Sequence, residues 1–226
     1  GEITPLSKLV RPDVAIITTI APAHAGNFNS LTEIAEAKAE IFAGLQPGGV
    51  AILNRDNEFF DLLALRAAGA GQVIGFGASP QAQARLIKAV HHAGCSCIAA
   101  EICGQKLTYK IGLPGEHWAM NSLAVLAAVS ALGADLALAA LGLGEMQPLA
   151  GRGRRYQLPV SDGSFILIDE SYNANPGSMA AALRSLAGQI AHGRGRRIAV
   201  LGDMAELGEA APRHHADLAG LIYRFA

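Results

Sequence analysis

Between residues 14 and 77 short apolar runs alternate with stretches of helical spacing: VAIITTI (14–20), LTEIAEAKAEIFAGL (31–45), VAILN (50–54), a helical stretch around 58–68, and VIGFG (73–77). This is a βαβαβ pattern, and strands joined through helices pair in parallel, with the helices on the faces of the sheet. A sheet covered on both sides demands a large apolar reserve. Half of the 226 residues are apolar, which is enough for a substantial core and for one large or two modest domains.

The alternation is interrupted after residue 84. Residues 84–111 lack helical periodicity over most of their length, and ICGQKLTYKI reads as a hairpin turning at Gly104-Gln105, a small antiparallel excursion. HWAMNSLAVLAAVSALG (117–133) is apolar nearly all round, as a buried helix is, and LALAALGLGEM makes a second one. The Pro/Gly/Arg-rich segment QPLAGRGRR (147–155) reads as a hinge. After it RYQLPV, FILID and RIAVLGD resume strand character with helices between them. The expected fold class is therefore α/β, with one domain over 1–150 and a second over 151–226. The chain begins without Met and stops in LAGLIYRFA, partway through a helical pattern, which reads as a piece of a longer protein.

A formal charge of -1, with no long Lys/Arg run, argues against nucleic acid or a membrane surface as the main partner. No segment has the form of a signal peptide or of an uninterrupted transmembrane span. Three cysteines, an odd number in a chain this long, fit a reducing cytoplasm better than a disulfide scaffold.

Several polar residues stand where apolar ones are expected. In the helix 31–45 the stripe Leu31, Ile34, Ala35, Ile41, Phe42, Leu45 includes Lys38 by spacing. Either its stem packs while the ammonium reaches water, or burial lowers its pKa and frees the amine for chemistry or modification. His24, in the APAH turn after the first strand, is at a ligand-binding end of the sheet and is a solvated loop histidine or a metal ligand. His117 and Asn121 share a helix face, and burying the amide unpartnered would cost about 1–3 kcal/mol, so a carbonyl, the histidine or a ligand such as a purine edge must meet it. HHAGCSC (91–97) invites a zinc reading through His91, His92, Cys95 and Cys97. The CxC spacing is not a zinc spacing, however, and adjacent strand residues point to opposite faces.

The densest polar stretch is IDESYNANPGSMAAAL (168–183). FILI before it reads as a buried strand, and SMAAALRSLAG as a helix capped by Asn175 with Pro176 in its first turn. The polar cluster is then a strand-to-helix loop, at the end of a strand where open α/β sheets bind ligands; an Asx turn with a helix cap is the plainer account.

The stretches ITTIAPAHAGNFNSLTEIAEAKAEIF, LNRDN, LPGEHWAMNSLAVLAAV, GRGRRYQL, IDESYNANPGSM and VLGDMAELG, over nearly the whole chain, resemble the Mur ligases, and among them the branch that handles D-Ala-D-Ala. The resemblance implies a P-loop-type ATPase domain, incomplete here, followed by the start of a Rossmann-like C-terminal domain. It also implies ATP and Mg2+ as cofactors and cytoplasmic work in cell-wall precursor synthesis; the sequence does not fix the oligomeric state, and a monomer is the expectation. In that reaction the carboxylate of a UDP-N-acetylmuramoyl-tripeptide is phosphorylated and the acyl phosphate is attacked by the amine of D-Ala-D-Ala. Lys38 matches the family lysine carried as a magnesium-holding carbamate, and His24 a magnesium-site histidine. Asn121, with His117, matches the adenine-contacting helix start, Arg152 the arginine reaching nucleotide phosphate, and Glu170 the acid near the ribose. Tyr172, Asn173 and Asn175 fall in the motif facing the nucleotide and the interdomain cleft. Glu170 departs from the commoner DDSYNANP pattern, and no G-x-x-x-x-G-K-[ST] occurs in the 226 residues. The family places that loop upstream, with a magnesium-binding glutamate and the UDP-binding domain, so the isolated chain is expected to be inactive. A sibling ligase adding another amino acid and a non-catalytic binding module remain as alternatives.

Overall fold

The computed structural model describes residues 2–21, 28, 30–92, 94–191 and 195–225. They cluster into two compact units, the first built from Gly1–Ile20 and Ser30–Met146 and the second containing Gln147–Ala226.

In the first unit the elements run α1 (Ile3–Val10), β1 (Val14–Ile17), α2 (Leu31–Ala39), β2 (Val50–Asn54), α3 (Phe60–Arg66), β3 (Gln72–Gly77), β4 (Ala84–His91), β5 (Ser96–Ile102), β6 (Gln105–Ile111), α4 (Glu116–Ala131) and α5 (Leu136–Gly144). The six strands form one sheet in sequence order, parallel from β1 to β4 and antiparallel from β4 to β6. The expected mostly parallel α/β sheet with an antiparallel excursion is what forms. The hairpin turn lies one residue earlier than the sequence suggested, at Cys103 and Gly104, whose φ angles of 48° and 88° are those of a tight hairpin turn.

Side-chain alternation distributes the strands between two faces. Val50, Ile52, Ile74 and Phe76 join Leu123, Leu126 and Ala127 of α4 in one cluster, to which α5 adds Leu136, Ala140 and Leu143. Ala51 and Leu53, the alternate residues of β2, are also fully buried. The all-round apolar character of 117–133 follows from this packing, since α4 touches every strand of the sheet. Asp135 starts α5 by accepting the backbone N–H groups of Ala137 and Leu138 at 2.8 and 3.0 Å.

The expected single helix over 31–45 divides into α2 and a 3-10 turn, Glu40–Gly44. Contact with α1, a helix that the sequence reading did not anticipate, accounts for the tighter winding. Ser7 Oγ donates to the Ile41 carbonyl and accepts from the Gly44 N–H at 3.1 Å, and a Cβ on Gly44 would overlap the Ser7 carbonyl.

The second unit contains the hairpin β7 (Arg154–Val160) and β8 (Gly163–Asp169), then α6 (Pro176–Ala187) and α7 (Ala211–Phe225). Two expectations fail here. FILI does lie in a strand, but Phe165, Ile166 and Leu167 are 49, 58 and 44 % exposed. RIAVLGD forms no strand, and Ile198 and Val200 are exposed. The reason is common to both: a strand is completed by its neighbours, and among the described residues of this unit only β7 and β8 pair. The small core here is made instead by Leu183 of α6 and Leu218 of α7 with Met204 and Leu207 of the segment before α7.

Leu123 is fully buried at the centre of the main core, whereas Leu138 on α5 is 69 % exposed. Leu123→Ala should lower stability by about 2–5 kcal/mol, while Leu138→Ala should stay within about 0.5 kcal/mol. Urea unfolding followed by circular dichroism measures both.

Candidate functional site

In the first unit the carboxyl ends of β1, β2 and β3 are organised by one short run, Asn54 to Asn57. The Asn54 amide donates to the Thr18 carbonyl at 3.0 Å, and its side-chain oxygen accepts the Asp56 N–H at 2.9 Å. Asn57 donates to the Ile20 carbonyl at 3.1 Å, and the Asp56 carboxylate accepts the N–H groups of Ala78 and Ser79 at 2.6 and 2.8 Å. The backbone leaving β1 and β3 is thus held by side chains at the end of β2. The sequence reading singled out LNRDN without giving its residues roles; the signal was the cluster of Asn and Asp directly after an apolar strand.

His24 lies outside the described residues. Lys38 is half-buried on α2, as is Asn121 on α4, while His117 is exposed with its ring 5.1 Å from that of Trp118. Among the described residues the Asn121 side chain takes no hydrogen bond. It instead lines a notch of about 60 Å³ with Ile111, Leu113, Trp118, Ser122, Val125, Leu143 and Met146. Neither the carbonyl nor the histidine considered as its partner meets it, and partial exposure leaves the amide open to solvent or a ligand. Behind the notch the Tyr109 hydroxyl contacts Ser122 Oγ at 2.8 Å, and burial pushes that phenol up to about 12. His91, from the rejected zinc cluster, bonds Ser96 Oγ at 2.8 Å, and no group of three or more His, Cys, Asp or Glu able to hold a metal occurs among the described residues.

In the second unit the sequence candidates converge on one loop pair. The Arg152 guanidinium sits 4.0 Å above the centre of the Tyr172 ring. Gly151 donates to Asp169 Oδ2 at 3.1 Å and its carbonyl accepts the Tyr172 N–H at 3.1 Å, while the Gly153 N–H reaches the Asp169 carbonyl at 2.8 Å. Both glycines are left-handed, with φ of 74° and 82°, and a Cβ on Gly151 would come within 2.8 Å of the Tyr172 nitrogen. Asn175 is committed to capping α6: it accepts the Ser178 N–H at 2.9 Å and its own N–H donates to Ser178 Oγ at 3.0 Å. Asn173 closes a local bond to the Ala174 N–H at 2.9 Å.

The two adjacent acids differ electrostatically. Hydrogen bonds from the Ser171 hydroxyl and N–H, and then from Gly151, hold Asp169 below the usual carboxylate range. Glu170 is displaced upward, first because its carboxyl is partly desolvated and second because Asp169 is negative beside it. Among the described residues no helix is long and apolar enough to cross a membrane, and Cys95, Cys97 and Cys103 are free thiols.

A mostly parallel α/β unit, joined to a second unit in which Arg152 of the turn before β7 stacks on Tyr172 of the strand-to-helix loop, defines an enzyme-like architecture of the ligand-at-the-strand-ends class. The Mur ligase middle domain matches residues 1–129, and the Mur ligase glutamate ligase domain matches residues 154–225. The chain belongs to the Mur ligase family. It is 36 % identical over 222 residues to the UDP-N-acetylmuramoyl-tripeptide–D-alanyl-D-alanine ligase of Escherichia coli, covering 96 % of this chain and 47 % of that protein. The ligase of the same name from Bacillus subtilis is 33 % identical over 222 residues, covering 98 % of this chain and 46 % of that protein. A crystal structure of MurF from Acinetobacter baumannii superposes with a TM-score of 0.86 at 30 % identity, over 97 % of this chain and 46 % of that one. The chain spans about half the length of the curated relatives it matches.

Glu170 binds its proton more tightly in the fold than when unfolded, so stability falls as pH rises from its ordinary 4.5 through the raised folded value. Glu170→Gln should therefore raise the melting temperature near neutrality, and the gain should vanish at about pH 3, well below 4.5, where the carboxyl is protonated in both the folded and the unfolded chain. In Asp169→Asn the Glu170 midpoint should fall only part of the way to 4.5, because desolvation, the larger cause, remains. Carboxyl-carbon NMR titration checks the second outcome, and thermal melts the first.

Proposed function

We propose that the chain is part of an ATP-dependent, magnesium-dependent ligase that joins D-Ala-D-Ala to UDP-N-acetylmuramoyl-tripeptide through an acyl phosphate, in the cytoplasmic synthesis of peptidoglycan precursor. Residues 1–150 contribute the later portion of the ATPase domain and 151–226 the start of the C-terminal domain. The observation that carries this reading is the pairing, in one chain, of matches to the Mur ligase middle and glutamate ligase domains, with relatives of that activity aligned across both.

Its chemistry assigns each residue a task. The half-buried Asn121 amide, which takes no hydrogen bond among the described residues and lies beside an apolar notch, suits the polar edge of a purine. Arg152 meets phosphate charge, and Glu170 meets ribose hydroxyls, to which a carboxylate offers acceptors. Tyr172, Asn173 and Asn175 shape the loop that faces the nucleotide. Lys38, carried as a carbamate, and His24 would hold magnesium; the ion supplies positive charge against the transferring phosphoryl group. His24 lies outside the described residues, so the magnesium assignment rests on the family resemblance and on the placement of Lys38.

In the ligase that contains this chain, Asn121→Ala should raise the Michaelis constant for ATP about tenfold, the loss of a good hydrogen bond, and leave that for D-Ala-D-Ala nearly unchanged. An unchanged ATP dependence would leave Asn121 a surface amide of the core helix. Lys38→Ala should abolish turnover, with partial recovery in small carboxylates, and wild-type turnover would remove the carbamate from the mechanism. Turnover with D-Ala-D-Ala against single amino acids separates this reading from a sibling ligase. The 226 residues alone should bind Mg-ATP weakly in calorimetry and ligate nothing, since phosphoryl transfer is positioning and electrostatics from a complete phosphate cradle.

A further inference from the structure

Arg152 is exposed, on a turn carrying two left-handed glycines, and a long cation in such a place would ordinarily sample many rotamers. Yet its guanidinium rests on the Tyr172 ring, and the backbone on either side is fastened. The fastener is one side chain to which neither the family motifs nor the expected chemistry gave a role. Asp169 accepts Gly151 N–H at 3.1 Å through Oδ2, and through Oδ1 it accepts the Ser171 N–H at 3.1 Å and the Ser171 hydroxyl at 2.6 Å. Its backbone carbonyl takes the Gly153 N–H at 2.8 Å, so residue 152 is flanked on both sides by bonds to residue 169. The return bond from the Tyr172 N–H to the Gly151 carbonyl, at 3.1 Å, closes the ring on the side where the aromatic platform starts. Gly151 makes the closure possible, because any larger residue would strike the Tyr172 backbone.

We propose that Asp169 and Tyr172 are positioning residues for Arg152: the carboxylate ties the turn Gly151–Gly153 to Ser171–Tyr172, and the ring receives the guanidinium, so that the cation is oriented before an anionic ligand arrives. The proposal rests on the reading of Arg152 as a nucleotide-phosphate contact. Its physical content is preorganisation: ordering one rotamer-rich side chain at the moment of binding weakens affinity, and a preset side chain avoids that loss. Tyr172 thereby acts on the nucleotide through Arg152. The Asp169 carboxylate itself has both oxygens occupied by protein donors.

The test has two arms. In the chain as it stands, without nucleotide, the 15N relaxation of the Arg152 side-chain Nε–H should report a more mobile guanidinium in Asp169→Asn and Tyr172→Leu, and an unchanged one in Tyr172→Phe, which keeps the ring. In the ligase that contains it, Asp169→Asn and Tyr172→Leu should each raise the Michaelis constant for ATP about three- to tenfold, the scale of immobilising one long side chain, with kcat and the constant for the amine substrate within about twofold. Tyr172→Leu in an Arg152→Ala background should add nothing further, because the two act as one unit. Equal Arg152 mobility in all variants, or fully additive effects in the double variant, would overturn the positioning role. Increased mobility with an unchanged ATP constant, including in Arg152→Ala, would instead overturn the phosphate assignment of Arg152 and with it the role in nucleotide binding.

Discussion

The first unit depends on the fact that a parallel sheet has no face it can leave to water. Ile52 and Leu53 are neighbours on β2, point to opposite sides, and are both fully buried. That requirement explains why α4 is apolar around its circumference and why α5 has three buried positions on the same cluster. It also explains where polarity is permitted: at the strand ends, where Asn54, Asp56 and Asn57 bind the backbone groups that the ladder no longer pairs.

Asn121 shows how the same constraint shapes a candidate site. A polar residue near the start of α4 is tolerated because its position is only half-buried, at the rim where the helix passes Met146 and Leu113. Deeper along α4, Leu123 and Leu126 leave no such opening, and the polar residue there, Ser122, is satisfied by Tyr109 and the Ala119 carbonyl. The amide without a partner among the described residues and the hydroxyl with two are one residue apart, and the difference between them is access to solvent.

The second unit is built on another principle. Its hairpin exposes apolar side chains, and order is concentrated in the turn that Asp169 gathers. The upward displacement of Glu170 comes first from desolvation of its carboxyl, and the charge of Asp169 beside it adds to it. The donors around Asp169 keep that charge in place, so the pair is divided into one acid held by the protein and one left facing outward.

Much of this was legible in the residues. Period-two and period-3.6 patterns placed β1, β2 and β3, the hairpin and α4, and Asn175 with Pro176 marked the start of α6, because these signals act over a few residues of chain. The glycines of GRGRR and the donors and acceptors of IDESYNANP marked a loop worth attention. What the residues could not disclose were contacts between segments distant in sequence. Ser7 tightening the end of the 31–45 helix is one, and Asp169 reaching back eighteen positions to Gly151 is another. Whether β8 is covered, and whether 197–203 pairs as a strand, depends on neighbours that local preference does not contain. Sequence alone determined most of the elements and the polar residues that interrupt them; the tertiary structure decided which of those residues are held by protein, as Asp169 and Asn175 are, and which, as Asn121, take no hydrogen bond among the described residues, because hydrogen-bond satisfaction is a property of the assembled surroundings.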